Sequence, residues 1–272
     1  MNELEDILLD VEPSDFADDV KGKGETTITH LSFTRLKKLA HSPLALKRYI
    51  EDGGGTSDAM TAGTLLDVLL FTPHEYESKF FVLPPCDRRT KEGKAIYADA
   101  MQRAGDKLII SQADKDNADF LAESVRDNTT VAFHGLLHPD NFKYQVKVDF
   151  KYGGFRHRGI KDADGFDRNG SKVIWDLKRM GNASGEKEVR YQIKKMKYDL
   201  QAAIYSHPFD IKNEPVKYYI IAVDNNGFVT PFEVTRDARS QAKIEWNILL
   251  KAAHRLNFEG LDMGCEFWAD HD

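Results

Sequence analysis

Apolar positions along this chain follow a helical spacing in the first half and a strand alternation through most of the second. From Ser32 to about Glu51 they recur every three to four residues, with Ser42-Pro43 punctuating the pattern. Asp52-Gly-Gly-Gly55 then breaks the chain ahead of a second helix, in which Asp67 stands among Leu65, Leu66, Val68, Leu69 and Leu70. Further helices are predicted from about Lys91 to Arg103 and from Gln112 to Asp127. Strand-like alternation begins at Tyr144 to Phe150 and continues through Phe155 to Phe166 and Lys172 to Leu177, the last two joined by Asp167-Arg-Asn169-Gly170. Asn and Gly tolerate the positive φ of a hairpin turn, so these two segments should pair. Tyr198 to Tyr205 reads as helix, Val216 to Val223 as a buried strand, and Asn225-Asn-Gly227 as the turn into Phe228 to Val234. A last helix, Arg236 to about Leu256, is expected to place Ile244, Ile248, Leu249 and Ala252 on one face. There is no internal repeat.

Such an order of elements is that of an α/β domain with added helices, and 272 residues with 41% hydrophobic content support a core of that size, although two small domains would also fit. The longest apolar runs, such as Leu65 to Phe71, are interrupted by Asp67 and are too short to span a bilayer. No basic-then-apolar leader precedes them, so a cytoplasmic location is expected. The two cysteines, Cys86 and Cys265, have no metal-type spacing and read as buried or incidental thiols. No Gly-Lys-Ser/Thr phosphate loop occurs, which points away from ATP.

The net charge of −6 argues mildly against a nucleic-acid partner, since phosphate binding leaves a basic footprint. Its distribution softens the objection. Asp and Glu crowd the first twenty residues, so residues 1–26 are expected to form a disordered acidic arm. Basic groups gather instead at Arg35 to Lys38, Lys47-Arg48, Arg88 to Lys94 and Arg190 to Lys197.

Candidate chemistry lies in the predicted hairpin. Asp162 and Asp176 should face each other across the pair, and the pleat sends Asp176 and Lys178 to one face and Leu177 to the other. Two carboxylates and the backbone carbonyl of Leu177 make half a shell for Mg²⁺ or Mn²⁺, which take hard oxygen ligands and keep several waters. Lys178 would orient or deprotonate a water there and offset negative charge on phosphoryl oxygens, so phosphodiester hydrolysis is the expected reaction. Asp164-Gly165 competes with Asp162 for the ligand role or is a plain turn, and without context the whole group would pass for a surface hairpin with a salt bridge. Gln201 and Tyr205, four apart, share a helix face and can hold a phosphate or water without adding charge. Asp67 among leucines needs a partner, which a metal or a buried arginine would supply. His134 and His138 read as loop residues, and His157 is left open.

Taken in order, Gly159-x-x-Asp162, Asp176-x-Lys178 and Gln201-x-x-x-Tyr205 resemble the RecB-like branch of the PD-(D/E)xK nucleases. Leu31-Ser-Phe-Thr-Arg-Leu-Lys-Lys-Leu-Ala-His-Ser-Pro43, Ala62-Gly-Thr-Leu-Leu-Asp67-Val-Leu-Leu-Phe-Thr-Pro73 and Asp87-Arg-Arg-Thr-Lys-Glu-Gly-Lys94 extend the likeness to RecE-type, exonuclease VIII-like phage exonucleases, from about Thr27 to Tyr205. The resemblance implies an α/β fold, with a central mixed β-sheet flanked by helices and an N-terminal helical region. Within it, residues 27–272 form one nuclease domain, mainly helical over 27–130 and catalytic over 131–272. It implies a Mg²⁺-dependent, ATP-independent deoxyribonuclease that digests linear double-stranded DNA 5′ to 3′ and leaves 3′ tails for recombination. Lys178, Asp162, Asp176, Gln201 and Tyr205 would be catalytic, Asp67, Asp162, Asp176 and Leu177 would hold metal, and Arg88, Arg89, Lys91 and Lys94 would bind DNA. DNA ends, a ring-like trimer or tetramer and a single-strand annealing protein are the implied partners, in the cytoplasm of a bacterial host. The family usually has a histidine ligand where this chain has Asp67, an even harder ligand for Mg²⁺. Two cysteines cannot hold the four-cysteine iron–sulfur cluster of some relatives. Alternatives are an endonuclease, a single-strand-specific nuclease, or a silent DNA-binding module.

Overall fold

A computed structural model describes residues 28, 30–55 and 57–256; the acidic arm and Cys265 lie outside them. Short polar side chains start the helices. The chain opens with β1 (His30–Ser32), and the Ser32 hydroxyl accepts from Arg35 N at 3.2 Å to cap α1 (Phe33–His41). Ser42 does the same for α2 (Pro43–Asp52), which Gly53 ends at φ 72°. Ser57 caps α3 (Asp58–Phe71), the helix that carries Asp67, and a 3₁₀ turn at Pro73–Glu75 leads into α4 (Tyr76–Lys79). Next come β2 (Phe80–Val82), α5 (Lys91–Ala104), β3 (Leu108–Ile110), α6 (Gln112–Asp127) and α7 (Thr129–His134). The second half consists of β4 (Phe142–Tyr152), β5 (Phe155–Phe166), β6 (Lys172–Arg179), α8 (Glu186–Met196), α9 (Tyr198–Asp210), β7 (Val216–Val223), β8 (Val229–Glu233) and α10 (Arg236–Arg255).

The central sheet is mixed, in the order β1-β5-β6-β7-β8, with β4 on the other edge of β5. Strands β1 and β5 are parallel, as are β6 and β7; the other neighbours are antiparallel. Two helical layers cover it. Residues of α1, α8, α9 and α10 pack on one face with Ile174, Tyr218 and Ile220, while Leu66, Leu121, Val125 and Val131 pack on the other with Val173, Trp175 and Leu177. Strands β2 and β3 form a separate parallel pair against Leu65 and Val68 of α3. The expected α/β class with a central mixed sheet flanked by helices is therefore observed. The division near residue 130 does not isolate the sheet in the second half, because β1 pairs with His157 and its neighbours in β5.

One helix faces differently from its pattern. In α10 the buried stripe is Arg239, Ala242, Trp246, Leu249, Leu250 and Ala253, and Ile244 and Ile248 are exposed. Trp246 carries the largest apolar area of the helix and turns its own side into the core, leaving a second apolar stripe outside. Helix α9 is buried from Asp199 through His207, since it lies between the sheet and α10.

Candidate active site

The site lies where β5 and β6 part. Their ladder runs from Phe166↔Lys172 to Ala163↔Trp175 and stops there, although Asp162 and Asp176 would be the next pair in register. Beyond that point β5 is paired with β1 instead, at residues 156–158. The shared edge leaves Gly159 to Asp162 without a strand partner on that side, and a cleft opens between the strands. Leu177 N, freed from the ladder, donates to Asp162 Oδ2 at 2.7 Å. The N–H and C=O of one residue point the same way in an antiparallel pair, so the Leu177 carbonyl faces this gap too. The Leu177 side chain goes to the opposite face and packs with Trp175.

Asp176 and Lys178 share the cleft face and form an ion pair in which the Asp176 side chain is 2% exposed. Helix α9 roofs them. Gln201 Nε2 donates to Asp176 Oδ1 at 3.2 Å, while Gln201 Oε1 is buried without a hydrogen-bond partner among the described residues. Tyr205, one turn on, lies against Gly159: a Cβ built there would come within 2.5 Å of the phenol oxygen. The glycine of Gly159-x-x-Asp162 is thus the gap through which Tyr205 reaches the strand.

Charge at this site is out of balance. Burial, then the charge of Asp176, holds Asp162 well above the usual carboxylate range against the pull of Lys178. Burial also pushes Asp67 up to about 7, with Lys178 opposing and Asp176 adding. Asp67 thus reaches the same electrostatic neighbourhood from α3, a helix of the other layer. Burial works to lower the Lys178 pKa, but Asp176 and Asp162 outweigh it and hold the ammonium more strongly charged than usual. Lys178 is therefore held as a cation by these two carboxylates. The Tyr205 phenol, raised to about 12 chiefly by burial, stays protonated.

Whether these residues fit a metal rests on their donor chemistry. Three carboxylates near one lysine leave negative charge that a hard cation would relieve. Among the described residues no three His, Cys, Asp or Glu side chains stand as a ready cage. Mg²⁺ needs none, because it takes one or two carboxylates and completes its shell with water.

Other candidates separate from this group. Asp164 forms ion pairs with Lys161 and Lys172, which lie over the Phe209 ring at the closed end of the hairpin, so it does not compete with Asp162. Arg88, Arg89, Lys91 and Lys94 are exposed around the start of α5, whose first turn Thr90 caps. Arg88 lies over Tyr97 at 5.0 Å, and a hollow of about 850 Å³ is lined by Pro85, Cys86, Asp87, Arg88 and Arg89. None of these four cations is among the groups that act on the carboxylates. His134 ends α7 and His138 follows in a loop, as expected. His157 is fully buried against Trp246, and burial lowers its pKa to about 4, so it is a neutral core residue.

Two residues at the site escaped the sequence reading. Tyr198 begins α9, just after Lys197 turns the chain at φ 58°, and its ring lies 5.2 Å from Lys178 Nζ. Lys37 of α1 lies over the same ring at 5.8 Å. Tyr198 precedes Gln201 by three, one helical turn, and that spacing was the available signal. Lys37 had only its place in a basic run.

The chain matches no described protein family and no curated protein. Among solved structures it is similar to one named "Putative exonuclease" from Eubacterium rectale, with a TM-score of 0.56 and 14% identity over 84% of this chain and 80% of that one. At that identity the likeness shows a shared fold. A second structure, SSO0001, has 15% identity over 70% of this chain and 86% of that one, and a TM-score of 0.27, too low to carry an argument. Among the described residues no helix is long and apolar enough to cross a membrane.

Proposed function

We propose that this protein is a metal-dependent deoxyribonuclease of the RecE type, which digests linear duplex DNA from an end and leaves a 3′ single-stranded tail. The observation that carries the reading is the cleft between β5 and β6, where Asp162, Asp176 and Lys178 meet under Gln201 and Tyr205. The ordered motifs and a fold shared with a protein named as an exonuclease support it. Polarity, the 3′ tail, a ring-like homo-oligomer, an annealing partner and a bacterial cytoplasm are carried by the sequence resemblance.

Asp162, Asp176 and the Leu177 carbonyl would hold Mg²⁺ or Mn²⁺, with Asp67 as the further carboxylate. The ion would supply electrophilic stabilisation of charge on the phosphoryl group. Lys178, held as a cation by its carboxylates, would place a positive charge beside the same oxygens. Gln201 fixes the Asp176 carboxylate from behind and keeps its own carbonyl oxygen free for a water proton. Tyr205 remains a neutral donor at any pH near 7. The exposed cations Arg88, Arg89, Lys91 and Lys94 would follow the DNA backbone outside the cleft.

Digestion of end-labelled linear duplex with Mg²⁺, with Mn²⁺ and with EDTA tests the reading. Loss of DNA with either metal and none with EDTA is expected, with closed circular duplex spared. Equal cutting of circles would make the enzyme an endonuclease, and no cutting under any condition would remove the catalytic reading.

A further inference from the structure

Lys37 stands in a position that is costly for a resting protein. Its ammonium is half-buried on α1 and forms no ion pair or hydrogen bond among the described residues. Burial lowers its pKa, and Lys38 and Lys178 lower it further by repulsion. What it does touch is the Tyr198 ring, 5.8 Å from its centre, which Lys178 also approaches at 5.2 Å. One aromatic ring thus gathers two ammonium groups within the range of cation–π attraction, and only Lys178 has a carboxylate. The arrangement is held from several directions. Strand β1 pairs with β5 next to the cleft and leads directly into α1, while Phe33 of α1 meets the Tyr198 ring at 6.4 Å. A cation held near Lys178 without its own counter-charge is a place for a substrate anion.

We infer that Lys37, positioned by the Tyr198 ring, binds a backbone phosphate of the DNA strand being cut and so aligns that strand over Asp162, Asp176 and Lys178. This assignment rests on the nuclease reading above. Lys37 acts in substrate binding, whereas Lys178 offsets charge at the reacting phosphoryl group. The competing explanation is packing, in which the four methylenes of Lys37 merely cover Tyr198 and the ammonium escapes to water.

Lys37→Met keeps the stem and removes the charge; Lys37→Arg keeps the charge. Steady-state digestion of linear duplex by parent and both variants is measured, with melting curves to show that they fold. Equilibrium DNA binding in EDTA is measured across a salt series. For Lys37→Met the expected result is a KM raised about tenfold with kcat within about threefold, the pattern of lost uniform binding. The slope of log K against log salt should shrink by about 0.9, the share of one phosphate contact on duplex, and Lys37→Arg should restore both. Parent KM and salt slope in Lys37→Met would overturn the inference while the nuclease reading stands, provided that the parent cuts DNA and Lys178→Ala does not. A parent that cuts nothing would remove both.

Discussion

The β5–β6 hairpin carries a carboxylate–lysine cluster at each end, and the two are built on opposite charge ratios. At the closed end, one carboxylate, Asp164, is paired with two lysines, Lys161 and Lys172, over the Phe209 ring. At the open end, Asp67, Asp162 and Asp176 share the single Lys178, and two of the three are held above the usual carboxylate range with burial as the first cause. The closed end has the pairing that a fold needs in order to keep charge inside. Where the strands part, carboxylates outnumber the lysine that pairs with them. Ion pairs of equal appearance therefore differ in purpose, and the count of charges around each distinguishes them better than any one distance.

Removal of the lysine from each end should affect the two clusters most differently. Lys178→Ala should lower digestion of linear duplex by about 10²–10³, as removal of one charge-stabilising group commonly does. Lys161→Ala should leave kcat within about threefold. Parent-like digestion by Lys178→Ala in a steady-state assay would place the chemistry elsewhere.

Removal of the carboxylate should destabilise the closed end. Asp164→Asn leaves Lys161, with 8% of its side chain exposed, and Lys172 without a counter-charge. Breaking a buried pair in this way costs about 3 kcal/mol, or about 6–12 °C in Tm for a domain of this size. A melting curve that matches the parent's would mean that this cluster is solvated and that its pairing adds nothing to the fold.

Much of this site could be seen in the sequence because it depends on period-two and period-four spacing. Asp176 and Lys178 share a face by strand alternation, Asp162 faces Asp176 by hairpin register, and Gln201 and Tyr205 align by helical turn. Each needs only local geometry. The strands Phe155–Phe166 and Val216–Val223, the second a continuous apolar run, and a helix over about Gln112–Asp127 were also legible. Long-range contacts were not. The three-residue strand β1 has too few positions to show alternation, yet it diverts β5 from β6 and opens the cleft. Short β2 and β3, and helices α7 and α8, were likewise absent from the pattern. Lys37 meets Tyr198 across 161 positions of sequence. In α10 two apolar stripes competed, and only packing around Trp246 decided between them.

Gly159 tests whether the open end depends on that close approach. A methyl group there would fall 2.5 Å from the Tyr205 phenol oxygen and 2.7 Å from its ring, so Gly159→Ala must push the tyrosine out of the cleft. A catalytic group displaced by about 1 Å can cost up to about 10²-fold. A kcat lowered by about 10- to 100-fold is expected, with Asp164 and its lysines unaffected and Tm within a few degrees of the parent's. Kinetics of the doubly substituted Gly159→Ala, Tyr205→Phe protein sharpen the result. If the alanine acts through the phenol, it should add little to the loss that Tyr205→Phe causes alone.

The pH dependence of stability has a sign that separates the two ends. The Asp67 carboxyl ionises near pH 4 when unfolded and at about 7 when folded, so between those values the folded state binds more proton. Its contribution to stability is complete below about pH 4 and is lost as the pH rises to about 7, above which the fold carries an unfavourable charge. Asp67→Asn removes that charge. The variant should therefore melt above the parent at pH 8 in EDTA, by about 2–4 °C for each 1 kcal/mol relieved, and the two curves should converge as the pH falls toward 4. Asp164→Asn, at the end where charges are paired, should move the opposite way at pH 8. Mg²⁺ should reduce or reverse the advantage of Asp67→Asn, because an ion that binds only the native parent raises its stability by mass action. If Asp67→Asn melts below the parent at pH 8 in EDTA, Asp67 has a protein partner that balances its charge, and the excess at the open end shrinks to the Asp162 and Asp176 pair.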